Sequence, residues 1–365
     1  MAHIWVRAEQ RAQEQRVGVT PHGVSQLMAA GHAVTVEESP VRAIATQDFI
    51  ATGCDVAAAH SWVDAPDDAI IFGLKELDPD GPDLRHRHIM FGHAYKGQSD
   101  GPQLLSRFRR GGGVLLDLEY LTDEAGRRVA AFGYWAGYAG AAVGLMAYAA
   151  QTGAAQAGAG QIGAGQIGAG QLGAVGVYAE MDALLKDLRA RLGGVPAASG
   201  IVIGALGRVG TGAGDLLDAV GVPVTRWDID QTRGGGPFPE ILTHTLFVNC
   251  ILAGPGVPVF VPKPALATPR VLRVIADVSC DPSSSYNPVP IYDHATSFAD
   301  PVIRVAGGEA PLDVMAIDNL PSMLPVESSQ DYAAQLLPHL MALDSDPLGV
   351  WARAGAIFRQ HIDVR

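Results

Sequence analysis

Cysteine is scarce in this chain: Cys54, Cys250 and Cys280 are the only three in 365 residues, and none stand at a metal-binding spacing. An odd, sparse set argues against a disulfide framework or a zinc site and for a reducing compartment, so no metal is expected. Charge is also thin, at 18% of residues against 48% apolar, and its balance is acidic, with a formal net charge of −12. Nucleic acid and anionic membrane both demand an excess of Lys and Arg, so neither is an expected partner; any anionic ligand needs a local cluster of cations. No apolar run reaches membrane length. The nearest, Ala136 to Ala150, is broken by Gly137, Gly140 and Gly144. The first residues run from the strand-like His3-Ile-Trp-Val6 into Arg7 and Glu9 and do not resemble a signal peptide, which makes the cytoplasm the expected location.

What the chain has is glycine in a telling place. In Gly200-Ile-Val-Ile-Gly-Ala-Leu-Gly-Arg-Val-Gly210, three β-prone residues meet glycines at 204, 207 and 210, and a helix-like run follows through Leu216 and Leu217. A strand, a tight turn and a helix start in that order bring unpaired backbone N–H groups up to a pyrophosphate. The spacing is G-x-x-G-x-x-G and not the usual G-x-G-x-x-G, with Ala205 as its second residue. Val222-Pro-Val-Thr-Arg-Trp-Asp228 then supplies a second strand ending in a carboxylate, close to where an acid holds the adenosine ribose. The competing interpretation is an ordinary tight turn with no ligand. Literal G-x-G-x-x-G matches at Gly158, Gly163 and Gly168 belong to a tandem Gly-Ala-Gly-Gln-Ile/Leu repeat that no strand precedes. By composition it is a low-complexity spacer, an insert over about 153–174.

Upstream, strands are expected at His3–Val6, Ala33–Glu37, Ala69–Gly73, His88–Gly92 and Gly113–Leu118. Helices between them are expected from Thr20-Pro21 to about Ala30, over Thr46–Thr52, and over Leu104–Arg109. Such alternation means parallel βαβ units. Helical stretches follow over 133–150 and from about Tyr178 to Leu192, where Leu184, Leu185, Leu188 and Leu192 form a core stripe. Beyond the glycine unit come strands at Thr245–Cys250 and Val271–Val278, then helices to about Leu343 and over Val350–Phe358. Ligands of open parallel sheets bind beyond the carboxyl ends of the strands. Lys75 and His93 both stand just after buried strands, so they can converge on one crevice; a solvated loop lysine and a structural histidine are the plainer interpretations. Arg127-Arg128 follows a turn at Gly126, where a surface pair or a fork for a carboxylate would both fit.

With these pieces placed, the sequence resembles the NAD-dependent, lysine-forming saccharopine dehydrogenases, within the wider alanine dehydrogenase group. The resemblance covers nearly the whole chain. It is carried by Arg7-Ala-Glu9, Arg16-Val-Gly-Val-Thr-Pro21, Gly73-Leu-Lys-Glu76, His93-Ala-Tyr-Lys96, Gly126-Arg-Arg-Val-Ala-Ala-Phe-Gly133, Ile203-Gly-Ala-Leu-Gly-Arg208, Trp227-Asp-Ile229, Gly235-Gly-Pro-Phe238, Asp277-Val-Ser279 and Ile317-Asp-Asn-Leu320. It implies two Rossmann-like α/β domains with parallel sheets and an active-site cleft between them. The first, residues 1–132 plus 326–365, would be the substrate and catalytic domain, and 133–325 the NAD-binding domain. The implied reaction is oxidation of saccharopine by NAD and water to lysine, 2-oxoglutarate and NADH.

By the same resemblance Lys75 is the proton acceptor and His93 the proton donor. Substrate contacts fall to Arg16, Lys75, Gln98, Arg128 and Phe132, with Ser279, Cys280 and Asp281. Cofactor contacts fall to Arg127, Gly204, Gly207, Arg208, Gly210, Asp228, Thr232 and Val278, with Ile317, Asp318, Asn319 and Leu320 on the nicotinamide side. Three features depart from the family pattern. Val209 stands where some relatives have a cysteine able to pair with the one matching Cys250, Leu252 stands where relatives have a tyrosine, and the repeat replaces a charged segment. An opine-type or other amino-acid dehydrogenase, and a catalytically silent nucleotide-binding protein, are the alternative functions. Nothing in the sequence sets an oligomeric state.

Overall fold

Short apolar runs stopped by glycine or a charged residue form the strands, and they assemble into two separate sheets. The computed structural model describes residues 1–157, 170–345 and 348–362. It divides into one unit of Met1–Ala131 with Pro325–Arg365 and a second of Phe132–Leu324.

The first unit begins with β1 (His3–Val6) and α1 (Pro21–Ala29), whose start is set by the Thr20 side chain accepting the Gly23 N–H and by proline at the first helical position. Next come β2 (Ala33–Glu37), α2 (Thr46–Ile50), β3 (Asp55–Ala57), β4 (Ala69–Phe72), β5 (Arg87–Met90), α3 (Gly101–Gly111) and β6 (Val114–Asp117). Gly112, at φ 76°, ends α3 with its N–H on the Phe108 carbonyl. All pairings in this sheet are parallel, in the order β3-β2-β1-β4-β5-β6. Strand order therefore reverses between β1 and β4, and the crevice outside that reversal is where such sheets bind ligands.

In the second unit α4 (Gly133–Ala157) and α5 (Met181–Leu192) precede β7 (Gly200–Ile203), α6 (Arg208–Ala219), β8 (Val224–Trp227) and the single turn α7 (Ile229–Thr232). Then follow β9 (Leu246–Asn249), β10 (Val274–Asp277), β11 (Ile303–Ala306) and β12 (Leu312–Met315). The sheet order is β8-β7-β9-β10-β12-β11. Alternation along β7 sorts its side chains: Val202 joins the core under α4, α5 and α6, while Ile201 and Ile203 join Phe238, Phe247 and Phe260 on the opposite face. Back in the first unit, α8 (Pro325–Met341) packs on α1, and α9 (Val350–Ile362) covers β6 and α3, with Phe358 edge-on to Phe108 at 5.5 Å.

Three expectations need correction. The sheets are not wholly parallel, because β11 and β12 pair antiparallel across the Gly307-Gly308 turn. The strand expected from Val271 begins at Val274, and the helix expected from Tyr178 begins at Met181. The insert is not a free spacer over its whole expected length: α4 runs on to Ala157, Leu172 is buried in the core, and the Gly170 carbonyl accepts from Arg304 at 3.1 Å. Residues 158–169 of the repeat lie outside the described residues.

One core residue of the first unit carries a pH prediction. His88 is fully buried on β5, edge-on to Trp62 at 5.3 Å and to Phe108 at 5.4 Å, and neither ring nitrogen has a partner among the described residues. Burial, then Arg7, His86 and Arg107, hold its pKa well below the ordinary imidazole value. The fold thus accepts only neutral His88, so its contribution is complete above the unfolded value of about 6.5 and is lost as pH falls below that. Stability should drop by up to about 1.4 kcal/mol per pH unit in that window, a proton's worth. Denaturant unfolding at pH 7 and pH 5.5 should show this drop, and His88→Phe should remove it; an equal pH dependence in the variant would contradict the assignment.

Candidate functional site

The turn after β4 is built around a buried arginine. Arg7, 1% exposed, donates to the Ala8 carbonyl at 3.1 Å and to the Lys75 carbonyl, and pairs with Glu9 at 3.4 Å. Glu9 in turn accepts from the Leu74 and Lys75 amides at 2.6 and 3.1 Å. A Cβ at 73 would come within 2.5 Å of the Arg7 guanidinium, so a side chain there would push Arg7 off these partners. The ends of β1 and β4 are thereby locked to each other at the sheet's reversal, and Lys75 leaves from that lock.

His93 leaves the neighbouring strand, β5, in the left-handed region at φ 47°, a conformation uncommon for a side-chain-bearing residue and frequent at sites. Its Nδ1 lies 3.0 Å from Glu76 Oε2, and Glu76 also pairs with Arg11. A carboxylate only accepts, so Nδ1 carries the hydrogen and Nε2 is the nitrogen left for proton exchange. Burial first, then Lys75 and Arg11, depress the His93 pKa, while Asp117 and Glu119 pull it up. Lys75 and His93 are therefore close enough to act on each other electrostatically.

The other residues predicted for this unit have identifiable surroundings. Arg16 is 4% exposed and pairs through Nε and Nη2 with Glu14, at 2.8 and 2.6 Å. Burial alone would raise the Glu14 carboxyl, but Arg16, with Lys75 adding to it, holds it below its usual value. Arg16 and Arg128 both act on the buried Tyr332, and Arg128 also acts on Lys96. Gln98 accepts from the Lys96 amide at 2.8 Å. Arg127, 81% exposed, pairs with Asp123 at 3.1 Å. No motif in the sequence marks Glu76, Glu14, Asp117 or Glu119 as site residues. Glu119 pairs with Lys96 at 2.6 Å, and the only hint of the others was an acid within two residues of a predicted site residue or at a strand end.

In the second unit the predicted cofactor residues other than Arg127 gather at the carboxyl ends of parallel strands. Gly204 sits at φ 85°, where a Cβ would lie 3.0 Å from the Cys250 carbonyl group, and a Cβ on Gly210 would reach to 2.6 Å from the Ala205 Cα. Gly207 begins α6 with no side chain capping it, and nothing nearer than 3.4 Å faces its missing Cβ. Arg208 is exposed at the first position of that helix. A bare helix start, lined by glycine and carrying a cation, suits a pyrophosphate. At the end of β8 the Asp228 carboxylate accepts the Leu206 and Ile229 amides at 2.9 and 2.8 Å, and the Thr232 hydroxyl donates to the Asp228 carbonyl at 3.2 Å. Past β10, Val278 donates its N–H to Asn249, Ser279 its hydroxyl to Ile251, and Cys280, at φ 49°, its thiol to Ala316 at 2.9 Å; Asp281 is exposed. That last bond joins the 278–281 turn to Ile317–Leu320, where Asp318 is exposed and Asn319 donates to Ser322 at 2.7 Å. These residues fit a dinucleotide. Phe132, predicted to contact substrate, is the first residue of this unit. Among the described residues no cluster of His, Cys, Asp or Glu could hold a metal ion, and no helix is long and apolar enough to cross a membrane.

Comparison with known proteins adds kinship to this geometry. Residues 5–139 match the family model for the alanine dehydrogenase/PNT N-terminal domain. The chain is 43% identical to a saccharopine dehydrogenase [NAD(+), L-lysine-forming] of Neurospora crassa, over 98% of this chain and 96% of that protein. It is 41% identical to the protein of the same name in Schizosaccharomyces pombe, over 98% and 97%. In structure it is similar to an L-alanine dehydrogenase, with TM-score 0.60 and 19% identity over 100% of this chain and 95% of that one. It is also similar to a transhydrogenase from Sinorhizobium meliloti, with TM-score 0.57 and 17% identity over 93% and 94%. Those two likenesses show the fold.

Proposed function

Because the chain belongs to the NAD-dependent, L-lysine-forming saccharopine dehydrogenases, we propose that Lys75 and His93 move the protons of its reaction. The enzyme is an oxidoreductase that cleaves saccharopine oxidatively to lysine and 2-oxoglutarate, with NAD as the nicotinamide cofactor. NAD, held by the residues named below, would supply the hydride acceptor for the carbon that bears the secondary amine. Lys75 takes the amine proton as that carbon is oxidised to an imine. His93, neutral and with Nδ1–H held by Glu76, takes at Nε2 a proton from the water that adds. Lys75 returns its proton to the imine nitrogen in that addition. As the carbinolamine collapses, His93 gives its proton to the nitrogen while Lys75 takes the carbinol O–H proton, so that the C–N bond breaks and lysine leaves. Arg16, Arg128 and Gln98, with Phe132 and Ser279 to Asp281, hold the three substrate carboxylates and the lysine chain. The cofactor rests on Gly204, Gly207, Arg208, Gly210, Asp228, Thr232 and Val278, on Ile317 to Leu320, and on Arg127. The observation that carries this assignment is the placement of Lys75 and His93 just beyond the carboxyl ends of the adjacent parallel strands β4 and β5.

The test is NADH absorbance with lysine and 2-oxoglutarate. Oxidation that needs both compounds is expected, and none at any pH from 6 to 9 would refute the proposal. The same assay reads cofactor choice. Asp228 would accept from the ribose hydroxyls and repel a 2′-phosphate. The two arginines near it in sequence are engaged, Arg226 with Asp218 at 2.5 Å and Arg233 with Asp230 at 3.3 Å. Turnover with NADPH should fall at least about a hundredfold below NADH, roughly 2.7 kcal/mol, and Asp228→Ser should narrow that gap. Equal efficiencies in the unaltered enzyme would remove Asp228 from the ribose site.

A further inference from the structure

Asp117 has no part in the scheme above, yet it is the most deeply buried acid acting on His93. It is 1% exposed and ends β6. Its Oδ1 accepts the Glu119 N–H at 2.9 Å and so caps the short turn Leu118–Tyr120, from which Glu119 reaches Lys96. Its Oδ2 has no hydrogen bond of ordinary geometry among the described residues and lies 3.1 Å from where a Cβ on Gly92 would stand. The parallel register sets Asp117 opposite Met90, so the carboxyl lies against the turn Gly92–His93 that leaves β5. A side chain at 92 would also run into Leu115, at 2.5 Å, which keeps that turn pressed onto β6. A buried carboxyl oxygen with no hydrogen bond of ordinary geometry calls for a physical reason. The geometry points to one: Asp117 is a positioning residue for His93, joining the turns that end β5 and β6 and setting a buried carboxyl against the turn from which His93 leaves. This inference rests on His93 being the proton-transfer group of the proposed function.

The electrostatics run both ways. Burial pushes the Asp117 carboxyl up to about 6, Glu119 adds to that, and the Glu119 and Gly92 amides and His93 oppose it. His93 is held down by burial, Lys75 and Arg11 and is pulled up by Asp117 and Glu119, with Glu76 on Nδ1. The remaining ionisable groups acting with Asp117 are Tyr95, Tyr120 and Tyr332, all with raised pKa values and so neutral at working pH. Coupling between two titrating groups is reciprocal, so whatever Asp117 does to His93 is returned in equal measure.

That reciprocity gives a test independent of turnover. In ligand-free enzyme with labelled histidine, the His93 ring resonance, identified by its loss in His93→Gln, is titrated by NMR. Asp117→Asn should move its midpoint about one pH unit lower, within the range for loss of a nearby opposite charge. Asp117→Glu should restore it in part. If Asp117→Asn does not fold, the converse measurement decides: the Asp117 carboxyl should titrate at higher pH in His93→Gln than in the unaltered enzyme. Midpoints that stay put in whichever comparison is made overturn the inference, even if the enzyme turns over saccharopine. Midpoints that move uphold it, even if the substrate proves to be another amine. In the folded Asp117→Asn enzyme kcat should fall about tenfold, with its acid limb displaced and the NADH dissociation constant unchanged.

Discussion

Turnover should fall about a hundredfold or more when His93 is replaced by glutamine, and by a similar factor in Lys75→Met, the range for a lost general acid–base group. NADH binding should stay within about twofold of the unaltered enzyme, because both residues belong to the first unit and the predicted cofactor residues, Arg127 apart, belong to the second. The pH profile carries the sign. His93 must be neutral to accept a proton from water, and burial with Lys75 keeps its pKa below the ordinary 6.5. The limb of the pH profile that His93 sets should therefore lie below pH 6.5, separate from the limb set by Lys75, which must itself be neutral to take the amine proton. The variant lacking the imidazole should lose the limb below pH 6.5. His93→Asn is the control for backbone strain, since asparagine tolerates φ 47° better than glutamine. The double variant should be less impaired than the product of the single losses, because the two groups serve one sequence of proton transfers. Full turnover in either single variant would take that residue out of the mechanism.

A second large effect is expected far from any reacting atom. α4 and α6 meet backbone to backbone in the second unit: a Cβ on Gly137 would lie 2.7 Å from the Val209 carbonyl carbon, and one on Gly212 would lie 2.8 Å from that of Tyr134. The obstacle in each case is main chain, which cannot rotate aside as a side chain can. Gly137→Ala should cost about 3 kcal/mol or more, the upper end for overpacking, because two helices must separate to admit one methyl group. Gly153, on the same helix with nothing within 4 Å of its missing Cβ, is the natural contrast. Gly153→Ala should gain about 0.5–1 kcal/mol through helix propensity and a less mobile unfolded chain. Denaturant midpoints of the two variants should straddle the unaltered protein's, and a Gly137→Ala protein of native stability would mean that the helices do not touch there.

The elements legible in the sequence were those whose local signals agreed. Thr20-Pro21 and Gly31 bracket α1, and Gly200-Ile-Val-Ile carries both the strand and the turn at Gly204. β3 was missed because three residues, only one of them a strand former, make no pattern. β11 and β12 were missed because Gly307-Gly308 looks like one more break in a Pro/Gly-rich stretch unless the antiparallel pairing is known. At the site, Lys75 and His93 were legible as polar residues directly after apolar strands. Asp117 was not, since its meaning comes from β5 lying beside β6, a relation that no local spacing records. The pairing of Arg16 with Glu14 was equally hidden, because two residues of opposite charge in a polar loop look like solvated surface until burial shows otherwise.

The division of the first unit into Met1–Ala131 and Pro325–Arg365 also sets the order in which a ribosome can deliver finished structure. The second unit is one unbroken stretch, Phe132–Leu324, so every strand and helix it needs has emerged before α8 begins. The first unit is made earlier but must wait. Its sheet is complete at Asp117, while Tyr332 and Leu336 on α8 and Trp351 and Phe358 on α9, all buried in the finished unit, are not yet translated. At about 5–20 residues per second, the intervening stretch keeps that sheet partly uncovered for roughly 10–40 s. During nascent-chain growth the apolar surface around Phe108 and Leu115 therefore stays partly open until residues 325–365 are made and close over it.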